Sequence, residues 1–389
     1  MNILSKLPDV GTTIFTVMSQ LCVDHKAINL GQGFPDFHPD SKLVNYVTQA
    51  MNDGYNQYPP MTGIPALRTA IATKVETLYD KKYDANTEIT VTSGASEALM
   101  ASILAFVHTG DEVIIIEPFY DLYIPAIKLA GGVPVIVSMQ APTEANPRYQ
   151  VDWDKVAKAV TNKTRMLILN FPHNPTGINL DESDLDQLEA IVNKHDIILL
   201  SDEVYEHIIF DGKHHQSLAK RERLAANSIV VSSFGKTYHT TGWKVGYCCA
   251  PAVLSTEIRK VHQFMVFTVP SPLQVALANY MTDPVPYLNL SEFYQPKRDR
   301  LFQGLKNTRF VPLHSEGTFF LLASYEKISD LPESEFAHWL TTTHGVGGIP
   351  VSAFYENSAA TSSNHGLIRF CFAKQDHTLD DALEKLAAI

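Results

Sequence analysis

Cysteine is scarce. The chain has four in 389 residues, and two of them are the neighbours Cys248 and Cys249, so neither a disulfide framework nor a paired zinc motif is on offer. The ordinary condition of such thiols is burial as small apolar side chains. His214 and His215 are likewise adjacent, with no Cys or His at ligand spacing, and no metal is expected. Long apolar runs are missing too: nothing approaches the roughly 18 residues of a bilayer span, and Met1 to Gly11 lacks the basic segment and apolar stretch of a leader. No membrane association is expected, and the chain reads as cytoplasmic. Positive charge is also short. The 31 Lys and Arg face 42 Asp and Glu, leaving a formal charge of -11 without a long basic cluster. That field repels phosphate backbones, so nucleic acid is not an expected partner.

What is present reads as a compact globular chain, with 45% hydrophobic and 19% charged residues and enough length for a large domain and a smaller companion. From Ile89 to Lys236 a short aliphatic run, a polar or Gly/Pro break and a helical stretch alternate. The runs are Ile89 to Thr92, Val113 to Ile116, Met166 to Leu169, Ile197 to Leu200 and Ile229 to Val231. Each is apolar on both faces, as buried parallel strands are, which predicts an α/β fold with a mostly parallel sheet sandwiched by helices. The stretch opening at Asp181 sets Leu185, Leu188 and Val192 in helical register behind an acidic first turn. From about Pro284 the pattern turns to helices mixed with strands such as Phe319 to Leu322, which predicts a smaller α+β domain. The expected organisation is an N-terminal segment, 1–40, packing with the small domain and the active site, then a large domain, 41–283, and a small domain, 284–389. Gly31-Gln32-Gly33-Phe34-Pro35 is a turn able to bring backbone close to a ligand.

Ligands of an open parallel sheet bind beyond the carboxyl ends of its strands. The exits here read Gly94-Ala95-Ser96, Pro118-Phe119-Tyr120, Asn170 to Gly177, Asp202-Glu203-Val204-Tyr205 and Ser233-Phe234-Gly235-Lys236. The first passes into a helix with Leu99, Ile103 and Phe106 on one face, and its free N–H groups suit a phosphate, although small residues also open helices for packing alone. Gly235-Lys236-Thr237 looks like the end of a P-loop, but that motif needs a glycine where the chain has Val230. The other reading of Lys236 is an amine kept nucleophilic by low dielectric and neighbouring positive charge, ready to condense with a carbonyl cofactor. An electron-sink pyridine needs a carboxylate at its ring nitrogen, and Asp202 stands at a strand end with Tyr205 three residues on, able to bond the ring's phenolate oxygen. Alone, such an Asp is as readily a turn cap.

Taken together, Asn174-Pro175-Thr176-Gly177, Ser201-Asp202-Glu203-Val204-Tyr205, Ser233-Phe234-Gly235-Lys236-Thr237 and Ile368-Arg369-Phe370 follow one another with Lys236 34 residues after Asp202. In order and approximate spacing the chain resembles the fold-type I, class I aminotransferases that depend on pyridoxal 5'-phosphate (PLP), over nearly its whole length. The resemblance implies that Lys236 carries the cofactor and shuttles protons, that Asp202 meets the pyridine nitrogen, and that Asn174 and Tyr205 meet the ring oxygen. It implies Arg369 as the clamp on the substrate α-carboxylate and Ala95, Ser96, Ser233 and Lys244 as phosphate ligands. Tyr120 would stack on the ring and Gly33 would lend backbone near the substrate. Tyr58 would reach the phosphate of a neighbouring subunit, which implies a homodimer with shared active sites.

The phosphate ligand eight residues after the lysine is usually arginine in aspartate-type relatives, whereas here it is Lys244. With Leu30 to Phe37 (LGQGFPDF) and Glu117 to Tyr123 (EPFYDLY), this is most similar to the methionine aminotransferase and kynurenine–glutamine transaminase branch. The expected donors are therefore methionine, aromatic amino acids and glutamine, passed to a 2-oxo acid by a ping-pong mechanism, with Phe15, Tyr58, Tyr120 and Phe267 lining the pocket. For Phe15 and Phe267 core packing is an equal alternative. A carbon–sulfur β-lyase acting on cysteine conjugates is open on the same scaffold. A PLP-binding regulator without turnover is the rival from another class, and the lack of a helix-turn-helix or basic module reads against it.

Overall fold

The structure, a computed structural model, describes residues 3–143, 146–357 and 364–389. After a short strand β1 (Ile28–Asn29), the chain lays down β2 (Ile89–Thr92), β3 (Glu112–Glu117), β4 (Val133–Ser138), β5 (Thr164–Asn170), β6 (Ile198–Asp202), β7 (Ser228–Ser233) and β8 (Gly246–Cys249). These last seven form one sheet in the order β2-β8-β7-β6-β5-β3-β4. All pairs are parallel except those of β8, which runs against both of its neighbours. Two strands escape the sequence reading. β4 is an edge strand that is exposed or half-exposed along most of its length and contains Pro134, so it lacks a two-faced apolar run. β8 is only four residues long and enters straight after Lys244, whose φ is +52°. Ile89 to Thr92 also differs from expectation, since among the described residues it pairs with the antiparallel β8 alone; it still points the same way as β7.

The double-sided apolar runs have a direct cause in the helical layers. Val113 and Ile115 of β3, Met166 and Ile168 of β5 and Ile229 and Val231 of β7 pack on the helix Gly94–Phe106, through Ala98, Leu99 and Ile103. Their alternates Ile114, Ile116, Leu167, Leu169 and Val230 pack on the helix Glu182–Lys194 through Leu185, Leu188, Ile191 and Val192. Each such side chain contributes roughly 1.5–3 kcal/mol by leaving water, so both layers hold the sheet. Asp181 caps the second helix by accepting from the backbone N–H groups of Ser183 and Asp184.

The later part of the chain builds β9 (Val311–Pro312), β10 (Phe320–Ser324), β11 (Val346–Gly347), β12 (Ile349–Pro350) and β13 (Leu367–Cys371). Four of them form an antiparallel sheet ordered β12-β13-β10-β9, and β1 pairs in parallel with β11. Their core takes in Met18 and Leu30 from the N-terminal segment and Val204, Tyr205 and Ile208 from the turn after β6. Among the described residues no helix is long and apolar enough to cross a membrane, and no three His, Cys, Asp or Glu side chains gather to hold a metal ion. All four cysteines are free and buried.

Candidate active site

Parallel pairing puts the last residues of β5 and β6 side by side, Asn170 against Asp202, and Asn170 Nδ2 donates to the Asp202 carbonyl at 3.2 Å. The turn leaving β7 carries Lys236 to the same edge, and β8 brings Lys244 back to it. The result is a cavity of about 330 Å³ lined by Ala95, Ser96, Tyr120, Asn174, Asp202, Tyr205, Ser233, Lys236 and Lys244 from the sheet edge, with Phe15 and Gly33 from the N-terminal segment and Arg369 from β13. Twelve of the residues named from the sequence therefore converge there.

Tyr58 and Phe267 do not line that cavity. They pack on each other with ring centroids 5.5 Å apart, and Tyr58 is 83% exposed. Phe267 is thus not a wall of the pocket formed by this chain. Its φ of +71° follows the end of the helix Ala252–Met265 and turns it outward, a conformation that no periodicity announces.

Burial sets the electrostatics. The Lys236 amine is pulled down to about 8, first by desolvation and then by the charges of Arg369 and Lys244, against Cys371 and Asp202. Its Nζ donates to the Gly33 carbonyl at 2.8 Å. Asp202 is pushed up to about 6 by burial, although the Tyr123 hydroxyl, the Val204 N–H and the charge of Lys236 favour its carboxylate. Tyr123 donates to Asp202 Oδ2 at 2.8 Å. Desolvation lowers Arg369 to about 10, far above neutrality, so it stays a cation. Its Nη1 donates to Asn174 Oδ1 at 2.6 Å and its Nη2 to the Gly31 carbonyl at 2.9 Å, while the buried Nε has no partner. The guanidinium lies 3.7 Å from the centre of the Phe320 ring. Lys244 Nζ sits 3.3 Å from Ser96 Oγ, at the start of the helix Gly94–Phe106.

Tyr123, Asn170, Gln32 and Phe320 belong to the site but were given no role from sequence. Tyr123 and Gln32 lie inside motifs already singled out, so position relative to Tyr120 and Gly33 was the available signal. Phe320 was visible only as a strand residue; the β10–β13 register, Leu322 opposite Arg369, is what swings its ring beneath the guanidinium. Gly33 is glycine for a local reason. A Cβ there would stand 2.7 Å from Phe320 Cζ and 3.9 Å from Lys236 Nζ, filling the cradle.

The arrangement offers an amine of lowered basicity, a buried carboxylate, a buried guanidinium and a helix N-terminus with an added cation, all on one cavity. A family model for aminotransferases of class I and II matches residues 25–386. The chain belongs to the class I and II aminotransferases. It is 49% identical over 383 residues to the methionine aminotransferase of Escherichia coli K12, covering 98% of this chain and 97% of that protein. It is 35% identical to the kynurenine–oxoglutarate transaminase of Dictyostelium discoideum, covering 97% of this chain and 94% of that one. A solved Escherichia coli structure with an identified methionine aminotransferase function superposes with a TM-score of 0.96 at 48% identity, over all of both chains. The protein is thus an enzyme with an aminotransferase fold, a mostly parallel sheet between helices with a small antiparallel sheet beside it.

Proposed function

We propose that this aminotransferase binds PLP through Lys236 and takes the α-amino group of methionine, aromatic amino acids or glutamine, passing it to a 2-oxo acid. The reading rests on one observation: Lys236 Nζ, Asp202 and Arg369 open on a single cavity. The residues fit the cofactor. The buried Nε of Arg369 is left without a protein partner, and Gly33 keeps the wall beside Lys236 clear, since a Cβ there would crowd Phe320 and stand 3.9 Å from Lys236 Nζ. When bound, PLP supplies an aldehyde for amines and an electron sink for the pair released at Cα.

Each residue then has work that its surroundings permit. With its amine pulled down to about 8, Lys236 keeps an appreciable neutral fraction near pH 7.5, so it can attack a carbonyl and afterwards move the proton from the donor's Cα. Asp202, ionised above about 6, would be the carboxylate to hold a pyridine nitrogen in its protonated form. Asn174 has its Oδ1 engaged by Arg369, which leaves its amide N–H groups to donate to the ring oxygen together with the Tyr205 hydroxyl. The first turn at Ala95 and Ser96, with Ser233 and Lys244, holds the phosphate through N–H groups, hydroxyls and a point charge. Tyr120, which lines the cavity, would supply the stacking surface.

Arg369 holds one carboxylate at a time, so donor and acceptor use the cavity in turn, and ping-pong kinetics follow. Among the described residues lining the cavity Arg369 is the one guanidinium, and Phe15, Leu99, Tyr120, Val204 and Phe320 supply apolar surface. A donor with an apolar or neutral side chain suits that wall, and a second carboxylate finds no matching fork. The test is a single-turnover screen of the PLP-loaded protein against each amino acid, with the released 2-oxo acid measured by mass spectrometry. Methionine, aromatic donors and glutamine should release it well ahead of aspartate; preference for aspartate would overturn the substrate assignment.

A further inference from the structure

One buried ion pair lies outside the machinery above and leans on it. Glu97 stands in the first turn of the helix Gly94–Phe106, one residue after Ser96, and is 7% exposed. Its Oε2 accepts from the Ser93 backbone N–H at 2.6 Å, holding the turn that leads into that helix. Its Oε1 faces His262 Nδ1 at 2.7 Å. His262, fully buried on the helix Ala252–Met265, places its other nitrogen, Nε2, 2.9 Å from the Met61 carbonyl. A carbonyl only accepts, so Nε2 must carry a hydrogen, and Nδ1 then needs a second one if the Glu97 carboxylate is ionised. The bridge is complete only with one proton more than a neutral imidazole and a carboxylate hold between them.

Met61 belongs to the segment that presents Tyr58. Between Gln57 and Thr62 that segment is tied to its surroundings by His262 to the Met61 carbonyl, the Thr268 hydroxyl to the Pro60 carbonyl at 3.3 Å, the Ser271 hydroxyl to the Gln57 carbonyl, and the Thr62 carbonyl to the Val91 N–H at 3.0 Å, and it is flanked by Tyr55 N–H on the Ala50 carbonyl and Ile64 N–H on Gln274 Oε1. The His262 carbonyl also accepts from the N–H groups of Val266 and Phe267, both at 3.0 Å, and Phe267 is the ring on which Tyr58 packs. The imidazole of His262 therefore touches the helix start at the cavity and the segment behind Tyr58, while the backbone carbonyl of the same residue holds the turn that supports the Tyr58 ring.

We infer that His262 is a positioning residue whose proton-bearing bridge from Glu97 to the Met61 carbonyl locks the Tyr58 segment to the helix that cradles the cofactor phosphate, making cofactor hold pH-dependent. The inference rests on the reading of that helix start as the phosphate site. The groups facing the bridge are few. Burial pulls the His262 pKa down, but the hydrogen bond and charge of Glu97 and the Met61 carbonyl more than offset it, and Arg259 works against them, leaving a net rise. Arg259 is itself spent on Thr90, Asn86 and Ile89. Cys248, on the strand beneath, is pushed up to about 12 by burial and stays neutral. With the His262 pKa raised, the bridge is intact below the ordinary histidine range and is lost as pH rises through the raised value.

The experiment compares wild type with His262→Gln and Glu97→Gln, two neutral changes that keep hydrogen-bonding capacity. Hydrogen exchange of backbone amides 55–64, corrected for intrinsic rates, is followed from pH 6 to 9 in the full chain without added PLP, and PLP dissociation constants are measured over the same range. In wild type, exchange in this segment should rise by about tenfold across the titration, the size expected when a charge-assisted hydrogen bond is lost, and PLP should weaken in step. Both variants should start from the faster exchange and show no such rise. Equal pH dependence in wild type and both variants would overturn the inference. A wild-type exchange transition without any PLP binding would uphold the bridge and sink the reading of the cavity instead. If His262→Gln fails to fold, Glu97→Gln decides, because its amide favours neutral His262 and removes the transition alone.

Discussion

Asp202 is buried at an electrostatic cost to the folded chain. Its folded value of about 6 lies above the roughly 3.9 of a free aspartate, so the folded chain holds its proton more tightly than the unfolded one. Below pH 4 both states are protonated and no penalty exists; between 4 and 6 the folded state loses ground; above 6 the penalty is complete, about 3 kcal/mol by linkage. Asp202→Asn keeps the shape and removes that charge. Without PLP it should melt a few °C higher than wild type at pH 7.5, the gap closing as pH falls toward 4, while its turnover with PLP drops by at least about a hundredfold. Thermal unfolding at several pH values checks the first half and steady-state rates the second; an unchanged rate would remove Asp202 from the ring nitrogen. At this scale the sequence was most legible where a residue sat in a motif at a strand exit, as Lys236, Asp202 and Asn174 do. It was least legible for Phe320 and Tyr123, whose value comes from partners more than 45 residues away, Arg369 and Asp202.

Among the elements, β8 is the one that packs against the start of the helix Gly94–Phe106, the proposed phosphate end, and Gly246 is its point of closest approach. A Cβ there would lie 2.8 Å from each of the Ala95 nitrogen, the Gly94 carbonyl carbon and the Ser232 oxygen, all of them backbone atoms that cannot swing aside. Gly246→Ala should therefore cost roughly 2–3 kcal/mol in chemical denaturation, and it should weaken PLP more than donor amino acids, because two of the three crowded atoms belong to the helix start and the third to β7 just before Ser233. Equal weakening of both would argue against a phosphate site at that turn. β8 also shows why parts of the sheet were not readable in advance. Strands buried on both faces announce themselves as aliphatic runs, whereas Gly246-Tyr247-Cys248-Cys249 is short and β4 lies at an edge with one face partly in water. The helix from Glu182 was legible, because its acidic first turn and apolar spacing are local signals.

For the molecule as a whole, the cavity is assembled from parts distant in sequence: the N-terminal strap of Phe15 and Gly33, the sheet edge, and Phe320 of β10 with Arg369 of β13. The strap is held by the turn that follows β13, with Lys374 Nζ donating to the Phe34 carbonyl at 2.8 Å and Gln375 N–H to Asp36 Oδ1 at 2.6 Å. Tyr58, exposed and away from its own chain's cavity, has a use if a second copy receives it, as the resemblance implied. Complementation tests this. Lys236→Ala and Tyr58→Ala chains, each weak alone, should on unfolding together and refolding regain about a quarter of wild-type activity, since half of random dimers are hybrids with one intact site. No recovery above the sum of the parents would contradict shared sites. Such a relation leaves no trace in periodicity or composition; only the family resemblance offered it.

The account stands on the amine of Lys236 at the end of β7, desolvated and within hydrogen-bond reach of the Gly33 carbonyl. The direct measurement is borohydride reduction of the PLP-loaded enzyme followed by proteolysis and mass mapping. The account predicts one covalent label per chain, on Lys236, absent from Lys236→Ala; a label on another lysine, or none, would contradict it.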